Sequence, residues 1–149
     1  MNIGEVCSCE VYIVRRTEPL AEAAREMGKR HVGAVVVVES RGDLVRPVGI
    51  VTDRDIVNGQ VARGADLHSM KVADGKTSNP LTLSETSGLS EAIERMRARG
   101  VRRAPVVNDS GDLVGIVSFD DLVPVVADQL SALAKLMGSQ AKREKHVSD

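Results

Sequence analysis

Two stretches of this sequence decide its fold: GIVTDRDI at residues 49–56 and GIVSFDDL at residues 115–122. Each stretch begins with a short apolar run, continues with a hydroxyl side chain and reaches a carboxylate three positions after that hydroxyl. The pairs are Thr52 with Asp55 and Ser118 with Asp121. A hydroxyl followed three residues later by an acid is typical of the start of a helix. Each stretch therefore predicts a strand that leads directly into a helix, with the two polar side chains close together.

The similarity between the two halves extends well beyond these stretches. LAEAAREM at residues 20–27 lies 69 positions before LSEAIERM at residues 89–96, and apolar positions match apolar positions. VVESRGDLV at residues 37–45 lies the same 69 positions before VVNDSGDLV at residues 106–114. The offset then falls to 66, because residues 46–48 have no counterpart in the second half. A fixed offset of this kind indicates an internal duplication.

The spacing of apolar residues predicts the same elements in both halves. Apolar residues at i, i+3, i+4 and i+7 predict one helix in each half, with Thr17 and Thr86 as the N-caps. Short β-branched runs predict buried strands, and the turns at Gly42 and Gly111 predict hairpins between them. The repeating unit is β-α-β-β-α. The predicted fold class is therefore α/β, with two tandem repeats packed about a pseudo-twofold axis so that each covers the other's sheet.

The length and charge of the chain limit its organisation and its partners. With 149 residues, it divides into a first repeat at 1–69 and a second repeat at 70–149, which carries a C-terminal helix and a polar tail. Lys and Arg number 20 and Asp and Glu number 21, so no overall field attracts nucleic acid or an anionic membrane. No apolar run is long enough for a membrane span, and the N-terminus lacks signal-peptide features. We expect a cytoplasmic protein.

Cys7 and Cys9 are two positions apart. Residues with this spacing on a strand share a face but seldom reach disulfide geometry. His31, His68 and His146 show no metal-ligand spacing to them. We therefore interpret the cysteines as small, partly buried side chains, with a redox pair or a metal site as the alternatives.

The duplicated motifs resemble those of the CBS domain, a module that occurs in tandem pairs. The resemblance is carried by the Ala-Pro-Val-Val strand at 104–107, the Gly-Asp-Leu-Val-Gly-Ile-Val-Ser run at 111–118, and Gly-hydrophobic-x-Thr/Ser-x-x-Asp in both repeats. It covers roughly four-fifths of the chain. It implies a regulatory protein that binds an adenosine-containing nucleotide (AMP, ADP, ATP or NAD) and modulates a partner protein, with no catalysis and no metal.

In modules of this kind each pocket combines residues of both repeats. The resemblance implies a first pocket formed by Thr52, Arg54, Asp55, Thr77, Ser78, Arg102, Arg103 and Ala104. It implies a second pocket formed by Ser8, Gly33, Ala34, Ser118, Phe119 and Asp121, with Cys9 nearby. Because Gly33 and Ala34 stand where the second repeat has Arg102 and Arg103, we expect only the first pocket, which contains Asp55, to receive both guanidinium groups.

Other interpretations of these motifs stay open at this point. The hydroxyl and carboxylate pairs also fit a capping box that only satisfies backbone N–H groups at a helix start. Asp53 and Asp55 after an apolar strand fit the nucleophile motif of haloacid-dehalogenase-type phosphatases, with Asp120 and Asp121 as a second acidic pair. The duplication argues against that enzyme, since the two segments are equivalent parts of repeated units. A protein-interaction module with empty pockets is the remaining alternative.

The last predicted helix has a long apolar stripe, which consists of Leu122, Val125, Val126, Leu130, Leu133, Leu136 and Met137. The stripe continues past the length of the corresponding helix in the first repeat. It either caps the protein's own core or also packs against a second copy of the chain. A closed twofold assembly is the commonest way to bury such a stripe, so we expect a homodimer.

Overall fold

The computed structural model describes residues 1–148 apart from 63, 65 and 76. It describes the side chains of all these residues except 61, 62, 75, 77, 78 and 139–148. The elements up to the second repeat are α1 (Ile3–Val6), β1 (Ile13–Arg15), α2 (Leu20–Arg30), β2 (Ala34–Arg41), β3 (Leu44–Thr52), α3 (Asp53–Val57), a π-helical turn (Asn58–Ala62), α4 (Val72–Gly75) and β4 (Thr77–Ser78). The remaining elements are β5 (Leu83–Ser84), α5 (Leu89–Arg99), β6 (Arg103–Val107), β7 (Leu113–Ser118) and α6 (Phe119–Ser148).

The strands form two sheets, one for each repeat. The first has the order β1-β2-β3-β4 and the second the order β5-β6-β7. In both sheets a parallel pair is followed by an antiparallel hairpin. Gly42 and Gly111 in the two hairpin turns have φ of +61° and +83°, a region that glycine adopts without steric cost. The predicted α/β fold class and the predicted hairpins are confirmed.

Each sheet and its helix enclose a separate apolar core. In the first core the face of α2 formed by Leu20, Ala23 and Met27 packs on the strands. In the second core Leu89, Ala92 and Met96 of α5 do the same. These are the positions that the i, i+3, i+4, i+7 spacing indicated, so the helical periodicity identified the buried face of both helices.

The short segment at the start of each repeat packs against the other repeat. The N–H of Ile3 in α1 donates to the carbonyl of Ser87 at 2.9 Å, which attaches α1 to the second repeat. The N–H of Val72 in α4 donates to the carbonyl of Glu18 at 2.8 Å, which attaches α4 to the first repeat. Both donors and both acceptors are related by the same offset in the sequence. The division of the chain at residues 69 and 70 stays a prediction, and these short segments pack across it.

The same exchange extends the sheets. Ser8 forms a bridge with Ile116 of β7, and Thr77 of β4 pairs with Ile50 of β3. Since Ser8 and Thr77 occupy equivalent positions, as do Ile116 and Ile50, the two pairings are related by the pseudo-twofold symmetry. Backbone hydrogen bonds therefore fix the last strand of each repeat against a segment of the other.

The predicted N-caps are wrong. Helix α2 begins after Pro19 and α5 begins after Gly88, and neither residue supplies a side-chain cap. At α2 the first free N–H groups find backbone acceptors instead, because Leu20 donates to the carbonyl of Met70 at 2.8 Å and Ala21 donates to that of Leu67 at 3.0 Å. Free N–H groups at a helix start need an acceptor but not a side chain, so the loop before α4 makes the predicted threonine cap unnecessary.

Helix α6 differs from its counterpart in the first repeat by its length. It runs from Phe119 to Ser148, whereas α3 ends at Val57 and continues only as a π-helical turn. Leu130, Leu133 and Met137 are 67%, 58% and 72% exposed, so the second half of the apolar stripe covers no core of its own chain. None of the helices in the described residues combines the length and hydropathy that a membrane span requires.

Gly115 lies where the exchanged N-terminal segment crosses β7. A Cβ atom at this position would lie 2.7 Å from Sγ of Cys7 and 2.8 Å from the carbonyl oxygen of Ser8. Both separations are shorter than van der Waals contact, and the second involves backbone that pairs with Ile116. Any side chain at position 115 would therefore push the Ser8 strand away from β7.

We predict that Gly115→Ala destabilises the protein by about 1–3 kcal/mol, the usual range for overpacking a filled site. Urea denaturation followed by circular dichroism measures this free energy of unfolding. Gly28→Ala is the matched control, because Gly28 lies inside α2 with nothing within 4 Å of an added Cβ. The control should keep its stability or gain up to about 1 kcal/mol. Equal stability of the Gly115→Ala variant and the wild type would contradict the account of this crossing.

Candidate functional site

Two cavities lie between the repeats and are related by the pseudo-twofold symmetry. The first, which we call the Thr52 pocket, has a volume of about 380 Å³ and is lined by Ile50, Thr52, Asp53, Arg54, Pro80, Leu81, Arg99, Gly100, Val101, Arg102 and Arg103. The second, the Ser118 pocket, has a volume of about 260 Å³ and is lined by Ser8, Glu10, Val11, Tyr12, Val32, Gly33, Ala34, Val36, Arg103, Ile116, Ser118, Asp120 and Asp121. Ligand pockets commonly have volumes of about 300–1,000 Å³, so the Thr52 pocket falls inside that range.

Equivalent backbone hydrogen bonds position the two helix starts that border these pockets. The N–H of Asp53 donates to the carbonyl of Gly33 at 3.0 Å, and the N–H of Phe119 donates to the carbonyl of Arg102 at 2.8 Å. Each hydrogen bond joins the first residue of a helix to the residue directly before the neighbouring strand. The end of β3 and the end of β7 are therefore held in the same way at the edges of their pockets.

The hydroxyl and carboxylate pairs form capping boxes in the structure. The N–H of Thr52 donates to Asp55 Oδ2 at 2.9 Å, and the N–H of Asp55 donates to Thr52 Oγ1 at 3.2 Å. At the other site the N–H and the hydroxyl of Ser118 both donate to Asp121 Oδ2, at 2.9 and 3.0 Å. This geometry realises the capping interpretation of the motif. It also leaves the second carboxylate oxygen, Oδ1, outside the box at both sites.

The two pockets carry opposite charge. Among the described residues, four guanidinium groups line the Thr52 pocket, against the single carboxylate of Asp53. Three carboxylates line the Ser118 pocket, those of Glu10, Asp120 and Asp121, against one guanidinium. Equivalent positions supply much of this contrast, since Arg54 in one pocket corresponds to Asp120 in the other. Anionic ligand groups are therefore favoured in the first pocket and opposed in the second.

The sequence comparison did not predict that one arginine is shared between the pockets. Arg103 lines both pockets. Its side chain passes close to Gly33, where an added Cβ would lie 3.3 Å from Arg103 Nη2. The Ser118 pocket therefore contains one guanidinium group, which comes from the strand that the sequence comparison assigned to the opposite pocket.

Several predicted site residues lie outside the pocket linings. Asp55 forms the capping box, and Ala104 is fully buried in the second core. Phe119 stacks against the guanidinium of Arg102 at 5.0 Å, in a groove between α5 and α6. Thr77 and Ser78 pair with β3 through their backbone, while their side chains lie outside the described residues. The roles predicted for these residues stay predictions.

Other lining residues were not predicted. Arg99, Asp53, Glu10, Tyr12 and Asp120 lie on the elements that frame the pockets. One signal for Asp120 was present in the sequence, because the repeat offset relates it to Arg54, which was predicted. Arg99 and Glu10 come from the end of a helix and from a loop. Only the packing of the two repeats brings these positions to a pocket.

The CBS domain family model matches residues 3–61 and 76–128. The chain belongs to the CBS domain family. An uncharacterized protein of Methanopyrus kandleri is 33% identical over 125 residues, which is 84% of this chain and 62% of that protein. The CBS domain-containing protein YhcV of Bacillus subtilis is 32% identical over 121 residues, which is 81% of this chain and 82% of that protein. This chain therefore spans less than two thirds of the Methanopyrus relative.

Solved structures of CBS domain pairs share the fold. The CBS domain pair of protein MJ0100, in complex with 5′-methylthioadenosine and S-adenosyl-L-methionine, has a TM-score of 0.74 with 22% identity. The likeness covers 87% of this chain and 98% of that one. At this identity the comparison establishes the tandem CBS architecture, which agrees with the duplicated sequence and with the paired sheets.

The two cysteines flank Ser8 at the edge of the Ser118 pocket, and both are free. Cys7 is half-buried against β7, whereas Cys9 is exposed. Burial raises the pKa of the Cys7 thiol above its ordinary value, and the nearby charges of Cys9 and Asp121 raise it further. Among the described residues, no group of three His, Cys, Asp or Glu side chains is placed to hold a metal ion.

We predict that iodoacetamide modifies Cys9 before Cys7 at neutral pH. The thiolate is the reacting species, so burial and the raised pKa of Cys7 both slow its alkylation. The rate at Cys7 should rise at higher pH than for an ordinary thiol, because the folded protein loses this proton less readily. Mass spectrometry of Cys7→Ser and Cys9→Ser variants measures each rate separately, with the urea-unfolded chains as controls. Equal rates in the folded variants would contradict the burial of Cys7.

Proposed function

We propose that this protein is a regulatory module that binds adenosine-containing nucleotides (AMP, ADP, ATP or NAD) in the clefts between its two CBS repeats and thereby modulates a separate partner protein, without turnover of the ligand. The observation that carries the proposal is the basic Thr52 pocket, a cavity between the repeats with four guanidinium groups. The cytoplasmic location predicted from the sequence stays a prediction.

The charges of the Thr52 pocket support a ligand that carries phosphate. Arg54, Arg102 and Arg103 approach the pocket from both repeats, and a guanidinium makes strong, often bidentate hydrogen bonds to phosphate oxygens. No hydrogen bond or ion pair holds these three guanidinium groups within the described part of the chain. Each is therefore available to a ligand without breaking an internal ion pair.

The walls of the same pocket support a nucleoside. Ile50, Pro80, Leu81 and Val101 form an apolar surface beside the arginines, and a purine base buries apolar area against such side chains. The hydroxyl of Thr52 supplies a polar group near them. The CBS domain pair of protein MJ0100 has the same fold and holds two adenosine-containing molecules, which supports the choice of adenosine over other nucleosides.

The Ser118 pocket favours a ligand with less negative charge. Its three carboxylates would repel a phosphate, and its single guanidinium offsets only part of that repulsion. The Tyr12 ring also lines this pocket, and the guanidinium of Arg30 stacks on the ring at 5.0 Å. We therefore propose that the two pockets differ in the charge of the adenosine ligand that each prefers.

Regulation follows if the ligand changes the angle between the repeats. Both pockets contain residues from both repeats, so a ligand that binds one relative orientation more tightly shifts the protein towards it. The partner would then recognise that orientation.

The exposed face of α6 supports a homodimer. Phe119, Val123, Val126, Leu130, Leu133 and Met137 are spaced 4, 3, 4, 3 and 4 residues apart, which is the heptad spacing of helices that pair with other helices. All six side chains are exposed. A second copy of the chain presents the same seam, so two copies can bury it about a twofold axis.

We predict that ATP binds with an affinity that falls as salt is added, and that Arg102→Ala weakens this binding by tenfold or more. The reason is the loss of one charge-assisted contact, worth about 1.5–3 kcal/mol. Isothermal titration calorimetry measures both effects. Arg95→Ala is the matched control, because Arg95 is an exposed residue of α5 that lines neither pocket, and it should bind ATP like the wild type.

Either of two results would contradict nucleotide sensing and favour a different function. Absence of heat with AMP, ADP, ATP, NAD and S-adenosylmethionine at millimolar concentration would favour a ligand-free interaction module. Hydrolysis of an aryl phosphate in the presence of magnesium, lost in Asp53→Asn, would favour a phosphatase.

We predict that the protein is a dimer at micromolar concentration and that Leu133→Glu makes it monomeric. A charge in the middle of the seam would be buried between two helices at high cost. Size-exclusion chromatography with light scattering gives the mass. Ser131→Glu adds the same charge on α6 outside the heptad positions and should remain dimeric. A wild-type mass of one chain would refute the dimer.

A further inference from the structure

Arg103 occupies a position between the two pockets. It is the first residue of β6, it is half-buried, and it lines both the Thr52 pocket and the Ser118 pocket. No hydrogen bond or ion pair to the described residues holds its guanidinium. The group is therefore free to turn towards either pocket.

The absence of a side chain at Gly33 leaves room for the guanidinium of Arg103. A Cβ atom on Gly33 would lie 3.3 Å from Arg103 Nη2 and 3.5 Å from Asp53 Oδ2. Its counterpart in the second repeat is Arg102, and the counterpart of Arg103 is Ala34. Among the described lining residues, Arg103 is the one side chain that the two pockets share.

The two pockets depend on Arg103 to different degrees. Without it, the Thr52 pocket keeps three guanidinium groups, those of Arg54, Arg99 and Arg102. The charged side chains left in the described lining of the Ser118 pocket would all be carboxylates. Arg103 therefore adds to an attraction for anions that already exists in one pocket, and it supplies the whole of that attraction in the other.

We infer that Arg103 is a shared specificity-determining residue that couples the two pockets. A nucleotide phosphate in the Thr52 pocket draws its guanidinium into a charge-assisted hydrogen bond, and the Ser118 pocket then loses affinity for an anionic ligand. The coupling is reciprocal, as binding linkage requires. This inference rests on the proposed function and adds to it that the ligand charge tolerated in one pocket depends on occupancy of the other.

The composition of the chain provides a reporter for one pocket alone. Tyr12 is the single tyrosine and there is no tryptophan, and Tyr12 lines only the Ser118 pocket of the two. The NMR signals of its ring therefore follow occupancy of the Ser118 pocket. Calorimetry in parallel reports the total binding.

The test compares AMP titrations, followed through Tyr12, of the wild type and of the Arg54→Ala/Arg102→Ala variant. These changes weaken phosphate binding in the Thr52 pocket and keep Arg103. The inference predicts that AMP then binds the Ser118 pocket at least about fivefold more tightly, the lower end of typical coupling between sites. Loss of two cations by itself would weaken AMP binding there, so the sign of the change separates the two effects.

Two controls isolate Arg103 and the ligand charge. With Arg103→Gln already present, adding Arg54→Ala/Arg102→Ala should give no gain in the AMP affinity that Tyr12 reports. Adenosine, which has no phosphate, should bind the Ser118 pocket equally in the wild type and in the Arg54→Ala/Arg102→Ala variant. Thermal melting checks that each variant is folded.

The outcomes distinguish this inference from the proposed function. AMP binding in both pockets with no gain in the Arg54→Ala/Arg102→Ala variant, or with the same gain when Arg103→Gln is present, overturns the coupling and leaves nucleotide binding intact. Absence of both heat and Tyr12 changes with wild-type protein overturns the proposed function together with the coupling.

Discussion

The pairing of Ser8 with Ile116, and its counterpart between Thr77 and Ile50, is the constraint on which the rest of this structure depends. Backbone hydrogen bonds attach a segment of each repeat to the last strand of the other. Gly115 is required at the first crossing because backbone and a sulfur atom occupy the space of its missing side chain. These pairings bring the two sheets together, and the two pockets are the spaces that remain between the repeats.

Within that symmetric frame, a small number of substitutions give the pockets different chemistry. The backbone bonds from Asp53 to Gly33 and from Phe119 to Arg102 are equivalent, yet the side chains they position are not. Arg102 and Arg103 stand where the first repeat has Gly33 and Ala34. Asp120 stands where the first repeat has Arg54. A duplicated backbone with diverged side chains can bind related ligands of different charge without any change of fold.

The capping boxes place a condition on how the motif carboxylates take part in binding. Asp55 and Asp121 each accept from the backbone of the helix start, so one oxygen of each is already committed to the fold. A ligand would compete for that oxygen or use the other one. Removing either carboxylate would affect the local stability of the helix start as well as any ligand contact, whereas no hydrogen bond or ion pair to the described residues holds the guanidinium groups of Arg54 and Arg103.

The sequence by itself determined the duplication, the α/β class, the hairpins and the buried faces of α2 and α5, because the repeat offset and the helical periodicity are local properties of the chain. Through the family resemblance it also pointed to Thr52, Arg54, Arg102 and Arg103, which line the Thr52 pocket. Only the tertiary structure decided that backbone carbonyls of Leu67 and Met70 replace the predicted threonine cap at α2, and that Arg103 reaches both pockets past Gly33. The physical reason is that both contacts join residues that are distant in sequence, and their geometry is set by how the two repeats pack.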